Sequence, residues 1–113
     1  MSYSQVDIHP SASRTATGET TLVDSVNGHN KVDWPDATFY LSVTAVTGAG
    51  AEMDLDVVAT IAGVDFILDS FTKATGVTTE AITVTNCPKD IKAEYTIGGT
   101  TPDITFQLVS VRG

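Results

Sequence analysis

Asp54 and Asp56 stand two residues apart in "MDLDVVATI", so an extended chain puts both carboxylates on one face. Asp65 and Asp69 flank the apolar run "FIL" a few residues later. Carboxylate pairs are the material of a glycosidase acid and base, or of an oxygen-rich calcium site. Either use requires a fixed separation across the fold, which spacing along one strand does not supply. The D-x-[DN]-x-[DN]-G pattern of a calcium loop is absent. Acidic residues on the solvent face of a sheet also keep strands from pairing with strangers, and this is the reading adopted for both pairs.

The glycine-rich stretch "TIGGTTPDITF" (96–106) is the next candidate. A phosphate-cradling loop needs a lysine after the glycines, or a G-x-G-x-x-G run, and a helix to follow. Gly98-Gly99 has no such lysine, a β-branched strand follows, and Asp103 repels phosphate. A hairpin corner accounts for the same residues: the glycines accept positive φ, and Pro102 precedes the next strand. His9 and His29 are the only histidines, and the single cysteine, Cys87, lies near neither. Cys87 reads as a small buried or half-buried residue beside Pro88. There is no G-x-S-x-G. The expectation is a protein that is not an enzyme, with no catalytic residue, no cofactor and no metal site.

Charge narrows the partners. The formal net charge is -8, and the basic residues Arg14, Lys31, Lys73, Lys89, Lys92 and Arg112 are scattered. Phosphate-backbone binding needs clustered cations, so no nucleic acid is expected. The apolar runs are far shorter than the roughly 20 residues of a spanning helix, so no membrane is expected. The start, "MSYSQVDIHPSASRTATGE", lacks the basic end and apolar stretch of a secretory signal. Synthesis in a cytoplasm follows as an expectation.

The elements that must position these groups are strands. "FYLSVTAV" (39–46) places Phe39, Leu41, Val43 and Ala45 on one face, and "MDLDVVATI" (53–61) does so with Met53, Leu55, Val57, Ala59 and Ile61. "IKAEYTI" (91–97) and "ITFQLVSV" (104–111) alternate in the same way. "TTLVDSV" (20–26), "DFILDSF" (65–71) and "EAITVT" (80–85) read as shorter strands. Turn signals lie between them at Asn27-Gly28, Trp34-Pro35-Asp36, Gly48-Ala49-Gly50, Gly63, Gly76, Cys87-Pro88-Lys89-Asp90 and Gly98 to Pro102. No window carries a helical period. The fold class is all-β: an antiparallel β-sandwich, jelly-roll or immunoglobulin-like, of about seven or eight strands. Residues 1–19 are Ser/Thr-rich and read as an extended N-terminal arm, with the sandwich domain over 20–113.

Two further features bear on function. Shifted by 51 residues, "AVTGAGAEMDLDV" (45–57) falls on "TIGGTTPDITFQL" (96–108) without a gap, Gly48 on Gly99 and Leu55 on Phe106. Two hairpins of similar geometry explain this weak repeat. Trp34, the single tryptophan, precedes the strand at Phe39 and reads as buried, in its own domain or against a partner subunit.

The runs "LSVTAVTGAGAEMDLDVVATIAGVDFILDSFTKATG" and "IKAEYTIGGTTPDITFQLVSV" resemble a set of small proteins from the structural gene blocks of tailed bacteriophages. Their pattern is a strand of the type "LDVTA", a turn "GTxPTLDV", a stretch ending "ASF", then "YVRVxYTIGGTxPSFTFSV". The matching residues are Leu41, Val43, Thr44 and Ala45; Gly48; Leu55, Asp56 and Val57; Ser70 and Phe71; and Tyr95 to Thr100 with Pro102, Thr105 and Phe106. The resemblance covers about residues 39–111. Members often carry "SxDGxxW" before "ASF"; here Phe66 stands where that tryptophan would be. The resemblance implies a virion structural protein, most like a capsid decoration (cement) protein on the capsid surface. Its partners would then be the major capsid protein and itself, as a homotrimer. Tyr3, Val6, Ile8, Pro10 and Arg14 of the arm, with Trp34, are the candidate partner-binding residues. The alternative is a tail, neck or fibre component that binds carbohydrate or a receptor through exposed aromatics, with Trp34, Tyr40 and Phe71 as candidates.

Overall fold

The computed structural model describes residues 4–26 and 35–112. The turn signal at Asn27-Gly28, His29, and the candidate contacts Tyr3 and Trp34 lie outside the described residues. Seven strands follow in chain order: β1 (Ser4–Arg14), β2 (Gly18–Glu19), β3 (Val23–Asp24), β4 (Ala37–Ile61), β5 (Val64–Ser70), β6 (Thr78–Val84) and β7 (Asp90–Arg112). The described residues contain no helix. The all-β antiparallel sandwich is therefore what the chain forms.

Its frame is two long strands, not four short ones. β4 and β7 pair antiparallel along their whole lengths, from Ala37 opposite Arg112 to Ala59 opposite Ile91. β6 and β1 flank the pair formed by the first half of β4 and the second half of β7. β5 lies on the outer edge of the other half of β4, and β2 and β3 on that of the other half of β7. Both long strands double back at their midpoints. Tyr95 and Phe106 both belong to β7, yet their ring centroids are 5.5 Å apart. A straight strand would separate them by about 36 Å. The sheet is thus folded on itself, and one apolar cluster fills the space between its halves. Phe39, Leu41, Val43, Ile104, Phe106 and Leu108 come from one half, and Met53, Leu55, Val57, Ile91, Ala93 and Tyr95 from the other.

The bends correct the sequence reading of "TIGGTTPDITF" and its echo. Neither is a hairpin corner, because the chain runs through each and pairs with the other. Thr47 faces Asp103, Ala49 faces Thr100, and Glu52 faces Gly98, with register shifts between them. The pairs Val46–Ile104 and Met53–Ile97 exchange under the 51-residue shift, so the weak repeat is a local two-fold axis. The special dihedrals obey it: φ is 105° at Gly48 and 114° at Gly99, 66° at Gly50 and 47° at Thr101. A Cβ on Gly48 would stand 2.7 Å from the Thr101 carbonyl oxygen, and one on Gly99 would stand 2.7 Å from the Ala51 Cα. Glycine is required there for φ and for space together.

Smaller departures have local causes. Ala45, expected in the core, is exposed because the register shifts between Val43 and Ala45, and Val46 packs inward instead. The strand expected over 20–26 is reduced to Val23–Asp24. Residues 4–14 are extended, as expected of the arm, but they lie in the sheet as β1 against β7. Two bulges in β1 let the consecutive Ile8 and His9 both turn inward.

The open end opposite the bends is closed by Arg112. Its guanidinium is buried and donates to the Cys87 carbonyl (3.0 Å), the Ser25 hydroxyl (2.7 Å) and the Pro88 carbonyl (2.7 Å). Cys87 is fully buried beside it.

Candidate functional site

The exposed surface offers three distinct features: an apolar hairpin, a densely charged outer face and an outer face with little charge.

The hairpin joins β4 to β5. Ala62 and Gly63 have φ of 53° and 77°, the two positive values of a type I′ turn, whose twist suits a tight two-residue connection. Ile61 pairs with Val64, Ala59 with Phe66, and Val58 with Ile67. Ala59 still lies in the core, but the hairpin continues past it. Ile61, Val64, Phe66 and Ile67 are each between 48% and 62% exposed, and they are four of the seven exposed large hydrophobics among the described residues. β5 is also an edge strand, with free backbone groups on its outer side. An apolar edge of this kind is a pairing surface unless charge guards it. Asp65 and Asp69 are the guards, one on each side of Phe66-Ile67.

Asp65 also belongs to the charged face of the same half. Lys92, whose side chain is largely buried, directs its ammonium to Asp65 (2.9 Å), Glu19 (3.1 Å) and Glu94 (4.0 Å). This network ties β2, β5 and β7 together. The Lys92 ammonium and the Thr60 hydroxyl hold the Asp65 carboxyl below the usual carboxylate range. Its hydrogen bonds to Asp65 and Glu19 push the Lys92 ammonium up. Burial, and next the hydrogen bond to Glu19, push Glu94 up. Nearby, Ser70 donates to Asp56 (2.6 Å), and Lys73 pairs with Glu52 (3.4 Å) and Asp54 (3.8 Å). Of the aspartates singled out by spacing, Asp54, Asp56 and Asp65 thus have lysine or hydroxyl partners on a sheet face, and Asp69 accepts from the Ser70 backbone N–H (2.8 Å). Among the described residues, no three His, Cys, Asp or Glu side chains are placed to hold a metal ion.

The face with little charge covers the other half, with Asp7 of β1 beside Val109 at its margin. Tyr40 stands between Ala81 of β6 and Val109 of β7, and Ser42 stands between Thr79 and Gln107. Here the surface is hollowed into a groove of about 370 Å³.

The residues expected to touch a partner are dispersed. Ile8 is buried in the core, Val6 packs on it, and Pro10 is exposed at a bulge. Arg14 is exposed and donates from Nε to His9 Nε2 (2.9 Å), with its guanidinium 5.9 Å from the Tyr95 ring centroid. His9 donates from Nδ1 to the Phe106 carbonyl (3.1 Å) and stacks on the Phe106 ring at 3.9 Å. Burial, and then Arg14, hold the His9 imidazole below its ordinary value. Of the aromatics considered for sugar binding, Phe71 is buried and Tyr40 is half exposed. The hairpin was missed as a site because "DFILDSF" reads as any strand; the run of apolar residues on both phases at Phe66-Ile67 was the available signal.

No family model and no curated protein matches the chain. Among solved structures it is similar to the carbohydrate-binding module CBM36 in complex with calcium and xylotriose, at 14% identity and a TM-score of 0.34, over 93% of this chain and 96% of that one. It is also similar to dimeric latent PorU from Porphyromonas gingivalis, at 13% identity and a TM-score of 0.31, over 98% of this chain and 10% of that one. Neither likeness carries functional weight at these values.

Proposed function

We propose that the protein is a non-enzymatic virion structural protein of a tailed bacteriophage: a capsid decoration protein that binds the outside of the shell and stabilises contacts between major capsid subunits. The observation that carries this reading is the β4–β5 hairpin, a rigid edge with four exposed apolar side chains on an otherwise acidic molecule. The sequence resemblance supplies the class of partner. Its matching residues converge in one place, since Tyr95 to Gly98 pair with residues 52–55 and Thr105 and Phe106 with Val43 and Ala45, on either side of the two-fold bend.

The mechanism is adhesion. Each half-exposed side chain on the hairpin gains about 1 kcal/mol when a neighbour covers it. The sum of about 4 kcal/mol is a gross gain, offset by the freedom lost on docking, so one contact alone binds weakly. Trimerisation on the shell, with many copies on a closed surface, multiplies such contacts into stable attachment. No cofactor is involved.

Adding the purified protein to expanded shells that lack it tests the reading. Co-sedimentation and raised heat resistance are expected, with both lost in the double variant Phe66→Ser, Ile67→Ser. Absence of binding by the unaltered protein would sink the proposal.

A further inference from the structure

We propose that the groove beside Tyr40 is a binding site for a neutral oligosaccharide, a function separate from attachment through the hairpin. The groove lies on the outer face of the half that does not carry the hairpin. Strand geometry builds it. Tyr40 sits in the middle of β4 with the short side chains of Ala81 and Val109 on either side, so nothing of comparable size covers the ring, and it is 49% exposed. Two residues on, about 6.8 Å along the strand, the same face presents Ser42 with Thr79 and Gln107 as its cross-strand neighbours. An apolar plate thus stands one sugar ring away from a planar amide and two hydroxyls.

That combination matches the chemistry of a pyranose. Its axial C–H groups form an apolar patch that stacks on an aromatic ring, while its hydroxyls at the rim take hydrogen bonds from amides and hydroxyls. Among the described residues, no hydrogen bond engages the Gln107 amide or the Ser42 hydroxyl. The groove volume of about 370 Å³ lies in the range of small-ligand sites.

Charge selects the ligand class. The groove is lined by no lysine or arginine, and its one carboxylate, Glu80, already accepts from the Thr72 backbone N–H (2.9 Å) and hydroxyl (3.4 Å). With a formal net charge of -8, the molecule repels anionic glycans. A neutral sugar is the occupant that this surface neither repels nor leaves unmatched.

The full chain, labelled with ¹⁵N, is titrated with cellotriose, maltotriose and triacetylchitotriose in turn, each to about 20 mM, past the millimolar range of weak sites. At least one is expected to shift the amides of Tyr40, Ser42, Thr79, Gln107 and Val109 together. Tyr40→Ala is expected to weaken that binding about tenfold or more, and Tyr40→Phe to retain it. Gln107→Ala, which leaves the ring in place, is expected to weaken it as well. No shift with any of the sugars, or shifts unchanged in Tyr40→Ala, overturns the proposal. The shell assay separates this site from the hairpin: Tyr40→Ala is expected to attach to shells normally. Loss of attachment in Tyr40→Ala would make the face a protein contact and overturn the sugar reading.

Discussion

The two halves of this molecule share one backbone plan and differ in what their outer faces carry. Each consists of a segment of β4 paired with a segment of β7, and a local two-fold axis at the bends relates them. Inside, they contribute equivalent apolar residues to one core. Outside, one half presents Tyr40 among serine, threonine and glutamine, while the other presents Lys92 ringed by Asp65, Glu19 and Glu94 and ends in the apolar hairpin. Strand alternation makes this division possible, because inward residues fix the fold while outward ones are free to diverge. Changes to the shared plan therefore act on the whole molecule, and changes to an outer face act on one half.

The largest effect is expected where the plan is shared. Gly99→Ala places a Cβ 2.7 Å from the Ala51 Cα at a φ of 114°, and Gly48→Ala meets Thr101 and Thr100 carbonyls at a φ of 105°. Backbone strain and a contact that only backbone movement relieves together cost about 2–6 kcal/mol. Urea unfolding should show similar losses for the two variants. Unequal losses, with one near zero, would break the claim that the bends are equivalent.

The glycines show where sequence reading ran out. Period two at Phe39, Leu41 and Val43, and at Ile104, Phe106 and Leu108, was enough to name the core and the fold class. A positive-φ glycine is chemically the same in a turn and in a bend, so "TGAG" and "IGGTT" read as hairpin corners. Whether the chain reverses there depends on the partner strand, and each stretch is the other's partner. The repeat was visible; that its copies pair with one another was not. Lys92 and Arg112 looked like scattered surface cations, because their burial depends on Asp65, Glu19, Ser25 and Cys87, far away in sequence. Ile8 looked like part of an arm, although it keeps the inward phase of Val6; the bulge is what turns His9 inward beside it. Tyr40 was legible as an exposed aromatic from its phase alone, whereas the hairpin needed the observation that the core ends at the level of Ala59 on β4, short of Ile61.

Acid separates the halves. His9 is held below its ordinary value of 6.5, so the unfolded chain binds the proton more readily. The stability this group contributes is full above pH 6.5 and is lost as pH falls through 6.5 towards its folded value. Protonation puts a second N–H of His9 against the Arg14 Nε–H, with Tyr95 and Phe106 as the other groups facing the ring. Asp65 is held below 3.8, so its contribution persists above 3.8 and is lost only below it. Glu94, raised above 4.5, acts in the opposite sense: its contribution is present below 4.5 and is lost as pH rises through its folded value. At pH 5, protection against hydrogen exchange, taken relative to the intrinsic rate at the same pH, should therefore fall in β1 while it holds in β5. Equal loss in both strands would contradict the assignment of His9 to one half.

A smaller change tests the symmetry of the bends from the other side. Thr101, at a φ of 47°, occupies the place that Gly50 holds at 66°. A β-branched residue in the left-handed region costs about 1–2 kcal/mol, and part of that is returned by the greater freedom of glycine when unfolded. Thr101→Gly should stabilise by about 0.5–1 kcal/mol, read as a rise in the urea midpoint at unchanged slope.

The smallest effect on stability is expected at the hairpin, and the size of that effect is what separates a partner-binding role from a structural one. Phe66 and Ile67 are 49% and 62% exposed and lie beyond the core on an edge strand. Replacing them with serine removes little packing, so unfolding should change by about 0.5 kcal/mol or less per residue. A strand that served only to complete the sheet would need its apolar side chains inward, as Leu68 is, and would lose little by having serine outward. Apolar side chains on an open edge raise the risk of aggregation, and a partner that covers them, as proposed, would remove it. The double variant should accordingly stay within about 1 kcal/mol of the unaltered protein and be more soluble, yet fail to attach to shells. If it unfolds readily instead, the hairpin belongs to the core after all, and the division between a shared interior and divergent exteriors fails at that edge.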